Sequence, residues 1–294
     1  MIPAIECAGA PRDLGLDQGR VCRASLREAF ARAPWRERWP LPLGAAHARL
    51  ARDLKRHFPH LAESLAGLAA GAGVSERWLV RRLADELATP REARAVACAA
   101  AAGALLAVDC SGRWIARRSR PEGGFACLEL ARPWLVAAFA GFNEAGLAVV
   151  AASGSGAPGA CAAPASLLAQ DCLQRFAKVE SALDWCCGRP AGHAAALLFA
   201  DSRGEVAGVE LRSGSRRRLY PEAGLLAWAD AGGAGAELAK ALREAVPATP
   251  AGLARVLAPS APAGFGVAVL DPSARRLGVL PSASPDVETD WLSL

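Results

Sequence analysis

The chain has 294 residues, enough to bury a sizeable core in one large domain or two smaller ones, and with 52% of them apolar it is not a disordered chain. Its net charge of +5 is thinly spread. The dense clusters, Arg117-Arg118 and Arg216-Arg217-Arg218, have the size of solvated edges, not the broad basic stripe of a nucleic-acid binder, so no nucleic acid is expected as a partner. No segment reaches the roughly 18 uninterrupted apolar residues of a membrane span. Val96 to Val108 comes closest, and Gly103 interrupts it. The N-terminus lacks a basic region followed by an apolar one, so no signal peptide and a cytoplasmic location are expected.

Nine cysteines, an odd number, in a chain with no sign of export read as reduced thiols. No C-x-x-C pair occurs, and none of the four histidines (His47, His57, His60, His193) lies within a few residues of a cysteine, so neither a metal nor another cofactor is expected. His57-Phe58-Pro59-His60 resembles a ligand pair, but its proline breaks any helix that would align the rings and points to a surface turn.

In chain order, residues 1 to 10 read as a short strand, and Pro11 with Asp13 marks a helix start. Leu14, Val21, Leu26 and Phe30 recur at helical spacing, so one helix is expected as far as Arg32, before Pro34, Pro40 and Pro42. Further helices are expected from Ala45 to His57, from Leu61 to Ala70 and from Ser75 to Leu87, giving a mostly helical N-terminal layer. After Cys98 the texture changes. Val108 to Cys110 and Trp114 to Ala116 read as two strands about a Ser111-Gly112 turn, with more strands at Phe125 to Leu130, Trp134 to Gly141 and Leu147 to Ala152. Two helices follow, near Pro164 to Phe176 and Val179 to Cys187, and then strands return with one further helix at Glu237 to Ala245. Strands, two helices and strands again imply helices packed on two antiparallel sheets.

Cys98 stands where helices give way to strands, in Ala93-Arg94-Ala95-Val96-Ala97-Cys98-Ala99-Ala100-Ala101-Ala102-Gly103. With only alanines after it, its thiol has no bulky neighbour to cover it, yet a cysteine among alanines also reads as a small buried hydrophobe. Gly154-Ser155-Gly156-Ala157-Pro158-Gly159 fits G-x-G-x-x-G, but Pro158 stands where the helix should begin, so dinucleotide binding is not expected. Cys186-Cys187, at a helix end, reads as packing.

Together these segments resemble the acyl-coenzyme A:6-aminopenicillanate acyltransferase-like (C45 peptidase-like) family of N-terminal-nucleophile hydrolases. The resemblance rests on Pro11-Arg12-Asp13-Leu14-Gly15-Leu16-Asp17-Gln18-Gly19, on Leu65-Ala66-Gly67-Leu68-Ala69-Ala70-Gly71-Ala72-Gly73-Val74, and on Cys98 shortly before Leu105-Leu106. It continues through Gly141-Phe142-Asn143-Glu144-Ala145-Gly146-Leu147, a helix pair, Asp201-Ser202-Arg203-Gly204 to Glu210, and Asp271-Pro272. The resemblance implies an α+β fold, a four-layer αββα sandwich, made as a precursor that cuts itself before the nucleophile. Here the cut falls between Ala97 and Cys98, so that residues 1–97 form a helical N-terminal segment and residues 98–294 the core.

The resemblance further implies a cysteine acyltransferase or amidohydrolase acting on a small acyl amide or acyl thioester, with an acyl-CoA among the small-molecule donors. Attack of the Cys98 Sγ on the Ala97 carbonyl, followed by resolution of the ester, frees an α-amine. Such an amine has a pKa of about 7.7 to 8.0, suited to act as general base for its own thiol. Asn143, the only asparagine, stands where the family places an oxyanion-stabilising amide, though asparagine also simply favours a turn. The family's Arg-Asn-x-Asp run is replaced by Val108, Asp109, Cys110 and Ser111, which leaves Asp109 or Ser111 as the orienting group. Asp230 replaces an asparagine, and when ionised it cannot donate to an oxyanion. These departures leave two alternatives open: a catalytically degenerate protein acting in binding or assembly, or an uncleaved thiol acyltransferase.

Overall fold

The computed structural model describes residues 2–38, 44–88, 94–100, 103–111, 113–154, 165–189, 194–212, 214–230, 234–245, 249–257, 265–281 and 291–294. Strand β1 (Ala4–Gly9) precedes helices α1 (Pro11–Val21), α2 (Arg23–Arg32), α3 (Trp35–Arg38), α4 (Ala45–His57), α5 (Pro59–Ala72) and α6 (Glu76–Ala88). Then come β2 (Arg94–Ala100), β3 (Gly103–Ser111), β4 (Ile115–Pro121), β5 (Cys127–Ala131), β6 (Ala138–Asn143) and β7 (Ala148–Ser153). Helices α7 (Ala165–Arg175) and α8 (Val179–Cys187) lead to β8 (Ala195–Ala200), β9 (Val206–Arg212), β10 (Ser215–Leu219) and β11 (Leu225–Ala229). The chain ends with α9 (Ala234–Ala245), α10 (Pro250–Leu257), β12 (Phe265–Asp271), β13 (Arg276–Pro281) and β14 (Leu292–Ser293).

Among the described residues the strands form two sheets, of order β1-β4-β5-β6-β7-β8-β9-β10 and β11-β2-β3-β12-β13-β14. The expected αββα sandwich is the architecture observed. Alternation along each strand gives every sheet two apolar faces and so produces three cores. Leu106, Leu128, Phe142, Val150, Leu198 and Leu270 meet between the sheets. The outer face of the eight-stranded sheet is covered by the N-terminal helices with α7 and α8, and that of the six-stranded sheet by α9 and α10.

The two N-terminal runs that carried the family resemblance form one helix–helix contact. Gly15 and Gly19 on α1 face Gly67 and Gly71 on α5, four residues apart on each helix, so that backbone meets backbone. A Cβ on Gly15 would lie 1.8 Å from the Ser64 carbonyl oxygen, and one on Gly67 would lie 1.9 Å from that of Arg12. Gly73, at φ +69°, ends α5 and donates its N–H to Ala69 O at 2.9 Å.

Several expectations need correction. The helix expected from residue 11 to 32 divides at Cys22, whose φ of −84° and ψ of 4° fall outside the helical basin. The strands expected to pair about Ser111-Gly112 belong to different sheets: β3 pairs with β2 and β12, whereas β4 pairs with β1 and β5. Each has two apolar faces to bury and finds partners on both edges in its own sheet. Residues 97 and 98, between which the cut is expected, both lie in β2, and β1 is an edge strand of the eight-stranded sheet, parallel to β4. Helix α10 occupies residues where the sequence pattern predicts no element.

Candidate functional site

Cys98 lies inside the six-stranded sheet, opposite Leu225 on β11 and Leu105 on β3. Along β2, Ala95 and Ala97 face the other sheet, while Val96 and Cys98 face the α9–α10 layer. Cys98 is only 6% exposed and shares its apolar cluster with Val96, Ala107, Leu238, Leu242 and Leu253. Burial pushes its thiol above the usual cysteine range, so little thiolate is present at neutral pH.

Asn143 lies on the far side of the molecule, in the helix layer of the eight-stranded sheet. Its Nδ2 donates to Leu173 O at 2.7 Å and Phe176 O at 2.8 Å, and its Oδ1 accepts the Leu147 N–H at 3.0 Å. Both amide protons are therefore spent on the C-terminal end of α7. The two sheets, packed about 10 Å apart, separate Asn143 from Cys98, so the structure does not bring this amide to the thiol.

Asp109 faces Val267 and Ser111 faces Phe265 across the β3–β12 ladder, four and six positions beyond Leu105, the partner of Cys98. At about 3.4 Å per residue, these positions are about 14 and 20 Å along the strand from Cys98. The side chains of Asp109 and Ser111 lie outside the described part of the structure. Asp230 follows β11, five positions beyond Leu225, and its carboxyl group packs against Gly154 at the end of β7: a Cβ built on Gly154 would be 2.3 Å from the Asp230 Cγ. Asp109, Ser111 and Asp230 thus gather at the end of the sandwich where β2 begins and β3 and β11 end. Cys98 lies nearer the β2–β3 connection.

No family model and no curated protein matches this chain. Among solved structures it is similar to penicillin V acylase from Agrobacterium tumefaciens, at 15% identity over 69% of this chain and 86% of that one, with a TM-score of 0.47. It is also similar to the Caenorhabditis elegans ortholog of N-acylethanolamine-hydrolyzing acid amidase, at 11% identity over 68% of this chain and 99% of that one, TM-score 0.49. A third is a variant of the conjugated bile acid hydrolase from Clostridium perfringens, at 9% identity over 69% of this chain and 92% of that one, TM-score 0.42. Likeness at this level says nothing of the site's chemistry.

Three polar clusters escaped the sequence. Glu210, 7% exposed, joins the sheets: its Oε1 accepts from Trp228 Nε1 at 3.1 Å and Arg212 Nη2 at 2.9 Å, and its Oε2 from Arg217 Nε at 3.0 Å. Burial alone would raise its pKa, but these donors outweigh burial and hold it below the usual carboxylate range. Arg117 and Glu129 form a buried ion pair at 2.6 Å, completed by Gln18, Gln170 and Ser119. Of these, Gln18 lies in the Pro11–Gly19 run, and Arg117, half of the Arg117-Arg118 cluster expected at a solvated edge, is buried because its charge is paired inside the molecule. The third cluster is the fully buried Asp171, which accepts from Trp185 Nε1 at 2.7 Å and Arg175 Nε at 2.5 Å, with His60 Nε2 3.3 Å away. Burial is the main cause lowering the His60 pKa. Each cluster joins elements far apart in sequence and leaves no local pattern. Among the described residues no group of three or more His, Cys, Asp or Glu is disposed to hold a metal ion, and no helix is long and apolar enough to cross a membrane.

Proposed function

We propose that this chain is a cysteine amidohydrolase or acyltransferase acting on a small acyl amide or thioester through an acyl-Cys98 intermediate, and that the uncut chain is its latent form. The observation that carries this reading is the position of Arg94–Ala97. These four residues fill β2 upstream of Cys98, between β11 and β3, with Ala95, Val96 and Ala97 fully buried. While they are covalently joined to Cys98, there is no α-amine to act as base, and the thiol stays protonated in its apolar setting. Cleavage between Ala97 and Cys98 would supply that amine beside its own thiol. The segment Arg94–Ala97 would then be held only by its ladder bonds, its buried side chains and the 2.7 Å bond from Arg94 Nη2 to Leu257 O. Its withdrawal would open a slot one strand wide from Cys98 toward Asp109 and Asp230. An acyl-CoA is a suitable donor because a thioester can pass its acyl group to a thiol without a change in bond type.

A second reading, a non-catalytic protein of binding or assembly, is favoured by one specific observation: the amide of Asn143 is fully occupied at the end of α7. One experiment separates the two. Intact mass under denaturing conditions, with a thiol-directed acyl probe, is expected to give two fragments meeting at Ala97 and Cys98, the larger carrying the probe. One uncut chain whose Cys98 stays unlabelled would refute the enzymatic reading, and an acyl adduct on an uncut chain would replace cleavage by simple thiol transfer.

A further inference from the structure

Cys172 on α7 and Cys186 on α8 bring their sulfurs within 3.5 Å of each other, and both residues are fully buried. We propose that they are a disulfide-forming pair that staples α7 to α8 under oxidising conditions, a modification site separate from Cys98. A disulfide needs a sulfur separation of about 2.05 Å, so the two must close by about 1.5 Å, within reach of small side-chain rotations.

The surroundings say what such a bond would hold. Helix α7 reaches inward through Gln170, which bonds both Arg117 and Glu129, and through Leu173 O, which accepts from Asn143. Helix α8 reaches outward: Glu180 and Asp184 bind Arg218 on β10, the edge strand. Trp185 already links the two helices through its bond to Asp171. A covalent bond at Cys172 and Cys186 would therefore tie the polar centre of the molecule to the edge of the sheet.

The partner reactant is a low-molecular-weight disulfide, RSSR. Cys186, in the last turn of α8 beside half-buried Cys187 and Gly188, is reached when that turn opens. Its thiolate attacks one sulfur of RSSR, giving a mixed disulfide and releasing RS⁻. The Cys172 sulfur then attacks the Cys186 sulfur and expels the second RS⁻. The two thiol protons go to the two thiolates, so two protein thiols and RSSR become one protein disulfide and two RSH. Burial and the neighbouring Cys186 hold the Cys172 thiol well above its ordinary pKa, which makes the closing step slow at neutral pH.

The test is to incubate the folded, reduced protein with oxidised glutathione, block free thiols with iodoacetamide under denaturing conditions, and map non-reduced peptides by mass. The expected result is one cross-linked species joining the peptides of Cys172 and Cys186, at 2 mass units below the two reduced peptides together, and a melting temperature raised by about 5 °C that reductant reverses. The Cys186→Ala variant should show neither. Alkylation of both residues after prolonged incubation, pairing of either with another cysteine, or a mapped bridge with no rise in melting temperature would overturn the proposal.

Discussion

Replacing Asn143 by alanine separates a structural amide from an oxyanion donor. Alanine leaves the Leu147 N–H and the Phe176 carbonyl without the bonds Asn143 makes, and leaves the Leu173 carbonyl only the weak Cys127 thiol donor at 3.6 Å. A buried polar group left unpaired costs about 1–3 kcal/mol. Phe176 is only partly buried and its carbonyl can turn toward water, so the sum is about 3–5 kcal/mol. Against a total stability of about 5–15 kcal/mol, that is a large fraction. The melting temperature should fall by about 10 °C. Urea denaturation followed by far-ultraviolet circular dichroism reads the loss directly. Asn143→Asp, which keeps the acceptor for Leu147 but turns a carboxylate on two carbonyls, should be at least as unstable at pH 7. An Asn143→Ala protein with wild-type stability that had lost only Cys98-dependent acyl transfer would refute this reasoning and return Asn143 to the oxyanion role.

At the α1–α5 contact, Gly15→Ala and Gly67→Ala should each cost at least the upper end of the roughly 1–3 kcal/mol typical of overpacking, because each Cβ meets backbone that cannot rotate away. Thermal melts of the two variants check this, and near-neutral effects would contradict it. His60 has a folded pKa below its ordinary 6.5, so the unfolded chain binds more protons, and the stability it contributes is complete above pH 6.5 and is lost as pH falls through the folded value. Denaturation between pH 8 and pH 5 should show that decline, and His60→Gln should flatten it. Gly154→Ala should destabilise by forcing the Asp230 carboxyl aside, and adding Asp230→Ala should recover part of the loss; two strictly additive effects would show that the contact does not couple them.

Helical and strand periodicities are local, and proline and glycine mark their ends, so most of the order of elements and the two-sheet class were legible in the chain, but not helix α10 or the break at Cys22. The sequence also contains Gly15, Gly19, Gly67 and Gly71 at four-residue spacing, inside two of the runs on which the family resemblance rests. It carried no sign of what they pack against. Where the candidate residues lie relative to one another came only from the tertiary structure. Strand register and alternation turn Cys98 toward α9 and α10 and set Asp109 and Asp230 several residues away along neighbouring strands. The packing of α7 on the eight-stranded sheet consumes the amide of Asn143. The physical reason is that a residue's type and neighbours fix what it can do, whereas the face it occupies depends on a pairing register set by distant strands, and a shift of one residue reverses that face.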